Sequence, residues 1–197
     1  MTANDPTPVT PTDSNVADFS EAASRGDKKR YQLQYPVELG GQTITELWMR
    51  RPTLFDKVVA ERQSSDSHSY EATANMLANI CEVDPEAIFE MDEEYDLRQL
   101  VSLFNAFEEP AVTEGENTLI LSYPIEVRGQ RLERLTIRRP KARDSLEYKD
   151  EKDGERMARL CGYQLKELHD MDLKTDWVGL ERIYASFRQR RLQRQSA

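Results

Sequence analysis

The chain has 197 residues, 27 Lys and Arg against 36 Asp and Glu, and a formal charge of -9; that length fits one large domain or two small ones, and 38% apolar residues leave part of it outside any core. No apolar run approaches the ~18 residues of a membrane span, and the polar N-terminus shows no secretory signal. Two cysteines and two histidines cannot by themselves build a disulfide framework or a four-ligand zinc cluster, and the acidic balance speaks against generic binding along a nucleic-acid backbone.

Charge is uneven along the chain: residues 1–30 carry net -1, residues 31–109 net -11 and residues 110–197 net +3. This pattern is read either as two solvated faces of different composition or as an acidic and a basic unit that attract each other. Residues 1–30 hold Pro6, Pro8 and Pro11 among threonines and serines, with Phe19 as the one aromatic. Such a segment buries too little to offset its ordering entropy and is predicted to be a disordered arm.

The remainder is a tandem repeat. At an offset of 88, residues 33–56 align with residues 121–144, and eleven of 24 positions are identical, including Tyr35/Tyr123, Pro36/Pro124, Gly41/Gly129, Arg50/Arg138, Arg51/Arg139, Pro52/Pro140 and Asp56/Asp144. One or two identities would arise by chance. At an offset of 80, residues 78–107 align with residues 158–187, with Cys81/Cys161, Met91/Met171, Asp92/Asp172, Asp96/Asp176 and Phe107/Phe187 identical. The eight residues missing from the second copy are assigned to the polar stretch 64–69 of the first. The units are therefore an arm, 1–30; a first repeat, 31–107; a linker, 108–118, with Pro110 and Gly115; a second repeat, 119–188; and a basic tail, 189–197.

Each copy opens with period-two alternation, which predicts a strand with Leu33, Tyr35, Val37 and Leu39, or Leu121, Tyr123, Ile125 and Val127, on one face. Gly40-Gly41 and Arg128-Gly129 supply a two-residue hairpin turn. The return strands place Leu47 and Met49, or Leu135 and Ile137, on one face. Pro36 and Pro124 restrict their strands to an edge or to pairing on one side. After Pro52 and Pro140 helices begin, with a capping box of Thr53 and Asp56 in the first copy that Lys141 loses in the second. Further helices end near Cys81 and Cys161. Asp84-Pro85 reads as an N-cap with a first-turn proline, and Asp92 and Asp172 cap the last helices. Their apolar stripes are read as Tyr95, Leu100, Leu103, Phe104 and Phe107, and Trp177, Leu180, Ile183, Tyr184 and Phe187. The expected fold is α+β: a duplicated β-hairpin followed by two or three helices. Each unit is small enough to need its sister, another chain or a client to complete its burial.

No repeated catalytic set is present. Neither copy repeats a histidine, and phosphate loops, metalloprotease motifs and nucleophile elbows are missing. Catalytic residues, metal ligands and cofactors are therefore all assigned as none. Cys81 and Cys161 read as small buried hydrophobes. The acidic run 90–96 reads as a solvated helix start. The two Arg-Arg-Pro triplets have two readings. One arginine of each pair ties its strand to a helix through Asp56 or Asp144, or the pairs form a partner-binding edge. Arg50, Arg51, Arg138 and Arg139, with Trp48, Tyr35 and Tyr123, are the candidate partner-binding residues.

The ordered pattern of Tyr-Pro, Gly-Gln, Leu and Arg-Arg-Pro, then a helix, a Cys break and a helix ending in an aromatic, resembles the phage tail assembly chaperone family of Mu-like and other long-tailed phages. It occurs over roughly 31–107 and again over 119–188. The resemblance implies a non-enzymatic protein that binds the long, apolar tape measure protein, keeps it soluble and helps recruit tail-tube subunits. It also implies action in the host cytoplasm and absence from the mature virion. The competing expectation is a structural tail or head–tail connector component. Self-association or docking of the two repeats is expected, without membrane or nucleic-acid partners.

Overall fold

The computed structural model describes residues 28–64 and 69–195, with side chains as far as Phe187. The arm expected at 1–30 lies almost wholly outside the described residues, as do His68 and the side chains of the basic tail.

The first repeat opens with β1 (Lys29–Leu39) and β2 (Gln42–Met49), paired antiparallel. Gly40 and Gly41 take φ of 58° and 79° at the turn, and Arg128 and Gly129 take 54° and 72° in the second copy. Positive φ at both central residues matches the right-handed strand twist, which explains the glycine in each turn. Next come α1 (Leu54–Gln63), α2 (Tyr70–Cys81), α3 (Pro85–Phe89), a π-helical turn (Glu93–Leu97) and α4 (Arg98–Asn105). The second repeat has β4 (Thr118–Val127) and β5 (Gln130–Thr136), preceded by the short β3 (Val112–Glu114) from within the segment read as a linker. The sheet order is β3-β4-β5. Then follow α5 (Ala142–Glu147), α6 (Asp153–Leu160), a 3-10 turn (Leu165–Leu168), a second π-helical turn (Leu173–Trp177) and α7 (Val178–Gln195). The fold is α+β, as its pattern predicts.

The shortening of the second copy is not confined to the loop. Helix α1 has 10 residues and α5 has 6, while α2 has 12 and α6 has 8. About one turn is missing from each helix of the pair, so the pair shortens from its far end while the end that meets the hairpin is kept. The Arg50 N–H donates to the Ile80 carbonyl at 3.1 Å and the Arg138 N–H to that of Leu160 at 3.2 Å, at equivalent positions.

Both hairpins contain the same irregularity. In the first, the register passes from Gln32↔Glu46 to Val37↔Ile44, so residues 33–36 face Thr45 alone. In the second it passes from Ile120↔Arg134 to Ile125↔Leu132, so residues 121–124 face Glu133. Each wide bulge holds the Tyr-Pro pair, where the missing proline N–H interrupts no ladder. The bulge also resets the side-chain period. Leu33 and Val37 are buried, but Tyr35 is half-exposed and does not share their face.

The buried side chains form one core that runs through both repeats. Leu47 and Met49 meet Leu77 and Ile80 of α2 in the first half, while Leu135 and Ile137 join Met157 and Leu160 in the second. In the last helix of each copy, Leu97 and Trp177 occupy the equivalent buried place, and Tyr95 faces solvent instead of the stripe predicted for it. The π-helical turn inserts extra backbone before α4, which displaces the helical period there. Gly179 marks the close approach of α7 to the segment before β3: a Cβ there would lie 2.6 Å from that of Ala111.

Candidate functional site: two bulge locks and the join between repeats

Three buried carboxylate arrangements organise the molecule, each built from residues present in both repeats. The first is the Arg–Asp tie. Arg50 donates to both oxygens of Asp56, at 2.8 and 2.7 Å. Arg138 does the same to Asp144, at 2.8 and 2.6 Å. Such planar, two-point pairing suits arginine. Asp56 also accepts the Thr53 N–H at 2.8 Å and the Thr53 hydroxyl at 2.9 Å. Asp144 accepts the Lys141 N–H at 2.6 Å, so the second copy retains this part of the helix start although threonine is gone. Arg138 and the Lys141 N–H hold the Asp144 carboxyl far below the usual range. Arg50 and Arg138 therefore act as strand-to-helix ties, one of the two readings open from sequence.

The second arrangement locks the bulges. Asp96 accepts the backbone N–H groups of Gln34 and Tyr35 at 2.7 and 2.9 Å, and the Tyr31 hydroxyl at 2.7 Å. Asp176 accepts those of Ser122 and Tyr123 at 2.8 and 3.1 Å. Donors released from the strand ladder are thus paired inside the protein, as buried backbone groups must be. Burial raises the Asp176 carboxyl to about 6, against the opposing effect of these two bonds. Sequence reasoning gave neither aspartate a role. The available signal was their repetition in step with the Tyr-Pro pairs.

The third arrangement joins the repeats. The segment Pro52–Phe55 runs beside His169–Leu173: the Leu54 N–H donates to the Met171 carbonyl at 2.8 Å, the Phe55 N–H to that of His169 at 3.0 Å, and the Leu173 N–H to that of Pro52 at 3.0 Å. Phe55 lies against the His169 ring, with centroids 5.3 Å apart. Arg51 crosses the join. It donates to the Phe107 carbonyl at 3.2 Å and to Glu109 at 2.7 Å, and pairs with buried Asp172 at 3.4 Å. Its guanidinium lies 4.0 Å from the centroid of the Tyr123 ring. Lys57–Glu181 and Arg182–Glu108 add ion pairs across the join. Arg51–Asp172 and Lys57–Glu181 put the cation on the acidic first repeat and the carboxylate on the second, the reverse of the attraction read from net charge, while Arg182–Glu108 runs in the expected sense. A cleft of about 430 Å³ lies along the join, lined in part by Leu54, Lys57, Met157, Trp177 and Glu181.

The seven candidate partner residues thus fall into three groups. Arg50 and Arg138 tie strands to helices, while Arg51 and Tyr123 join the repeats. Arg139, Tyr35 and Trp48 face solvent to about half their area. Arg139 pairs with exposed Glu116 at 3.0 Å. Trp48 donates to Glu46 at 3.1 Å, and Arg30 lies 5.9 Å from its ring while also pairing with Glu46. Cys81 and Cys161 are free thiols, and burial pushes both up to about 12. Asp92 accepts the Tyr95 N–H and Asp172 that of Thr175, the predicted caps. Among the described residues no cluster of three His, Cys, Asp or Glu is arranged to hold a metal ion, and no helix is long and apolar enough to cross a membrane.

Two hairpin-and-helix units with matched bulge locks, joined through backbone pairing, define a tandem duplication of one small α+β module. The chain belongs to the phage tail assembly chaperone family: the family described as "Phage tail assembly chaperone proteins, E, or 41 or 14" matches residues 30–109 and again residues 118–189, once per repeat. No curated protein and no solved structure matches the chain.

Proposed function

We propose that this chaperone binds the tape measure protein of its phage, keeps that long, apolar protein soluble in the host cytoplasm, helps recruit tail-tube subunits, and is left out of the finished virion. The observation that carries the reading is the family match at both repeats. It is supported by the hairpin surface of the first repeat, where Trp48 stands half-exposed beside Arg30 and Glu46. A large aromatic at the centre of a polar rim is a common anchor for a protein partner. Binding and release of a client need no catalytic group.

Co-expression with the tape measure protein from the same phage tests the proposal. The expected result is a co-purifying complex and a larger soluble fraction of the tape measure protein, both reduced by Trp48→Ala. Neither a complex nor a gain in solubility would overturn it. Mass spectrometry of purified virions should find the chain missing; its presence there would favour the structural tail component instead.

A further inference from the structure

The join between the repeats is one-directional. The first repeat contributes Pro52–Phe55 and Arg51; the second contributes His169–Leu173 and Tyr123. By the repeat alignment, the second repeat carries an equivalent of the contributing face at Arg139 and Pro140–Arg143. The first carries an equivalent of the receiving face at Tyr35 and Phe89–Glu93. Among the described residues, these two faces make no such pairing with each other.

Their exposure follows from that. Val58, in the internal join, is 9% exposed, whereas its counterpart Leu146 is 79% exposed. The Arg51 side chain is 10% exposed and that of Arg139 is 54% exposed. Asp172 and Thr175 are buried, while their counterparts Asp92 and Tyr95 face solvent. Tyr123 is covered by a guanidinium, but Tyr35 is half-exposed with the Tyr95 ring edge-on at 5.8 Å. Both ends of the molecule therefore leave uncovered the surface that each repeat buries at the other end.

The two faces also match in charge. The contributing face of the second repeat carries Arg139, Lys141 and Arg143, all exposed. The receiving face of the first carries Glu90, Asp92 and Glu93, also exposed. In the internal join Leu54, Phe55 and Leu173 hold the corresponding places as Ala142, Arg143 and Glu93. The apolar residues of the internal join are thus replaced, on the two uncovered faces, by Ala142 and by charged Arg143 and Glu93.

We infer that a second copy of this chain docks head to tail, with Arg139, Pro140–Arg143 and Leu146 of one copy seated on Tyr35 and Phe89–Glu93 of the next, repeating the internal join. Arg139 then covers Tyr35 and pairs with Asp92, as Arg51 covers Tyr123 and pairs with Asp172. The contact is heterologous, so each added copy exposes a fresh pair of faces. Assembly closes as a ring if the rotation permits and otherwise extends as a filament. Opposite charge across the junction makes it sensitive to ionic strength. The inference goes beyond the client-binding proposal and is tested without any client.

The test is sedimentation velocity of the purified full chain over a range of concentrations, at low and high salt. The expected result is a mass above one copy that grows with concentration and falls with salt. Arg139→Ala with Leu146→Asp disables one face, and Tyr35→Ala with Asp92→Asn disables the other while keeping a helix-capping side chain. Each double variant should stay monomeric with unchanged far-UV circular dichroism. An equimolar mixture should give a 1:1 pair and nothing larger, because only one competent junction remains. A wild-type chain that stays monomeric, association that survives both double variants, or a mixture that forms no pair would each overturn the inference.

Discussion

Arg51 of the first repeat stacks on Tyr123 of the second, 4.0 Å from the ring centroid, while the same guanidinium reaches Asp172. The counterpart pair, Arg139 and Tyr35, is not joined in this way. Two residues that are identical in sequence context thus have opposite environments. The difference arises because a single chain can form the junction only once. Burial pushes the Asp172 carboxyl up, partly countered by the Thr175 N–H and Arg51. Arg51 is therefore the cation that compensates a carboxylate removed from water.

Replacing Arg51 with alanine is expected to destabilise the fold by about 3 kcal/mol, the scale for leaving a buried charge without its partner. Arg139→Ala, on an exposed pair, should cost less than about 1 kcal/mol. Urea unfolding of both variants checks the contrast. A cycle of Arg51→Ala, Tyr123→Ala and the double variant should return a coupling of roughly 1–2 kcal/mol. Equal effects of Arg51→Ala and Arg139→Ala would show that the join does not bear on stability.

The bulge locks make a second prediction. Asp96→Ala leaves the Gln34 and Tyr35 N–H groups and the Tyr31 hydroxyl without their acceptor. Unpaired buried donors cost about 1–3 kcal/mol each, with water recovering part of that near the surface. The expected loss is roughly 2–4 kcal/mol in urea unfolding, with faster amide hydrogen exchange concentrated at residues 33–37. Asp176→Ala should do the same at residues 121–125. Uniformly faster exchange, without a local signature, would mean that the aspartates stabilise the fold by some other route.

The parts legible in sequence are those governed by local rules. The turns Gly40-Gly41 and Arg128-Gly129 need positive φ, and the return strands bury Leu47, Met49, Leu135 and Ile137 by strict alternation. Asp84 and Asp92 cap where short polar side chains precede a helix. Two local departures escaped periodicity. The four-residue bulge turns Tyr35 outward, and the π-helical turn puts Leu97 where Tyr95 was expected. The candidate site was legible only as residue types. Arg50 and Arg51 are adjacent and chemically alike, yet one serves its own helix and the other the neighbouring repeat. Which does which depends on how the repeats meet, and no pattern along one strand encodes that.

Both cysteines should be inert in the native state. With each thiol pushed up to about 12, the thiolate is a minor species at pH 8, and thiolate is the reactive form. An aromatic disulfide reagent at that pH should label neither residue over minutes in buffer and both at once in denaturant. Rapid labelling of Cys161 alone in buffer would show that the break between α6 and the 3-10 turn opens locally, as sub-global opening does elsewhere.

Asp176 makes stability depend on pH in an unusual direction. Its carboxyl titrates near 6 in the folded protein, against about 3.9 when unfolded. Between those values the native state holds the extra proton, so this group favours folding at the acid end and that contribution is lost as pH rises through 6. Two units correspond to at most about 3 kcal/mol. Asp144 and Glu167 act in the opposite sense. Arg138 and Arg128, respectively, lower their carboxyls, Glu167 to about 2, so their contribution is present above the unfolded values and lost as pH falls below them. Comparing wild type with Asp176→Asn at each pH cancels these other groups. Urea unfolding at pH 4.5 and pH 7.5 should show the advantage of wild type over Asp176→Asn shrinking as pH rises. An advantage that is constant or grows would mean that the two N–H donors from Ser122 and Tyr123 outweigh burial and keep Asp176 ionised throughout.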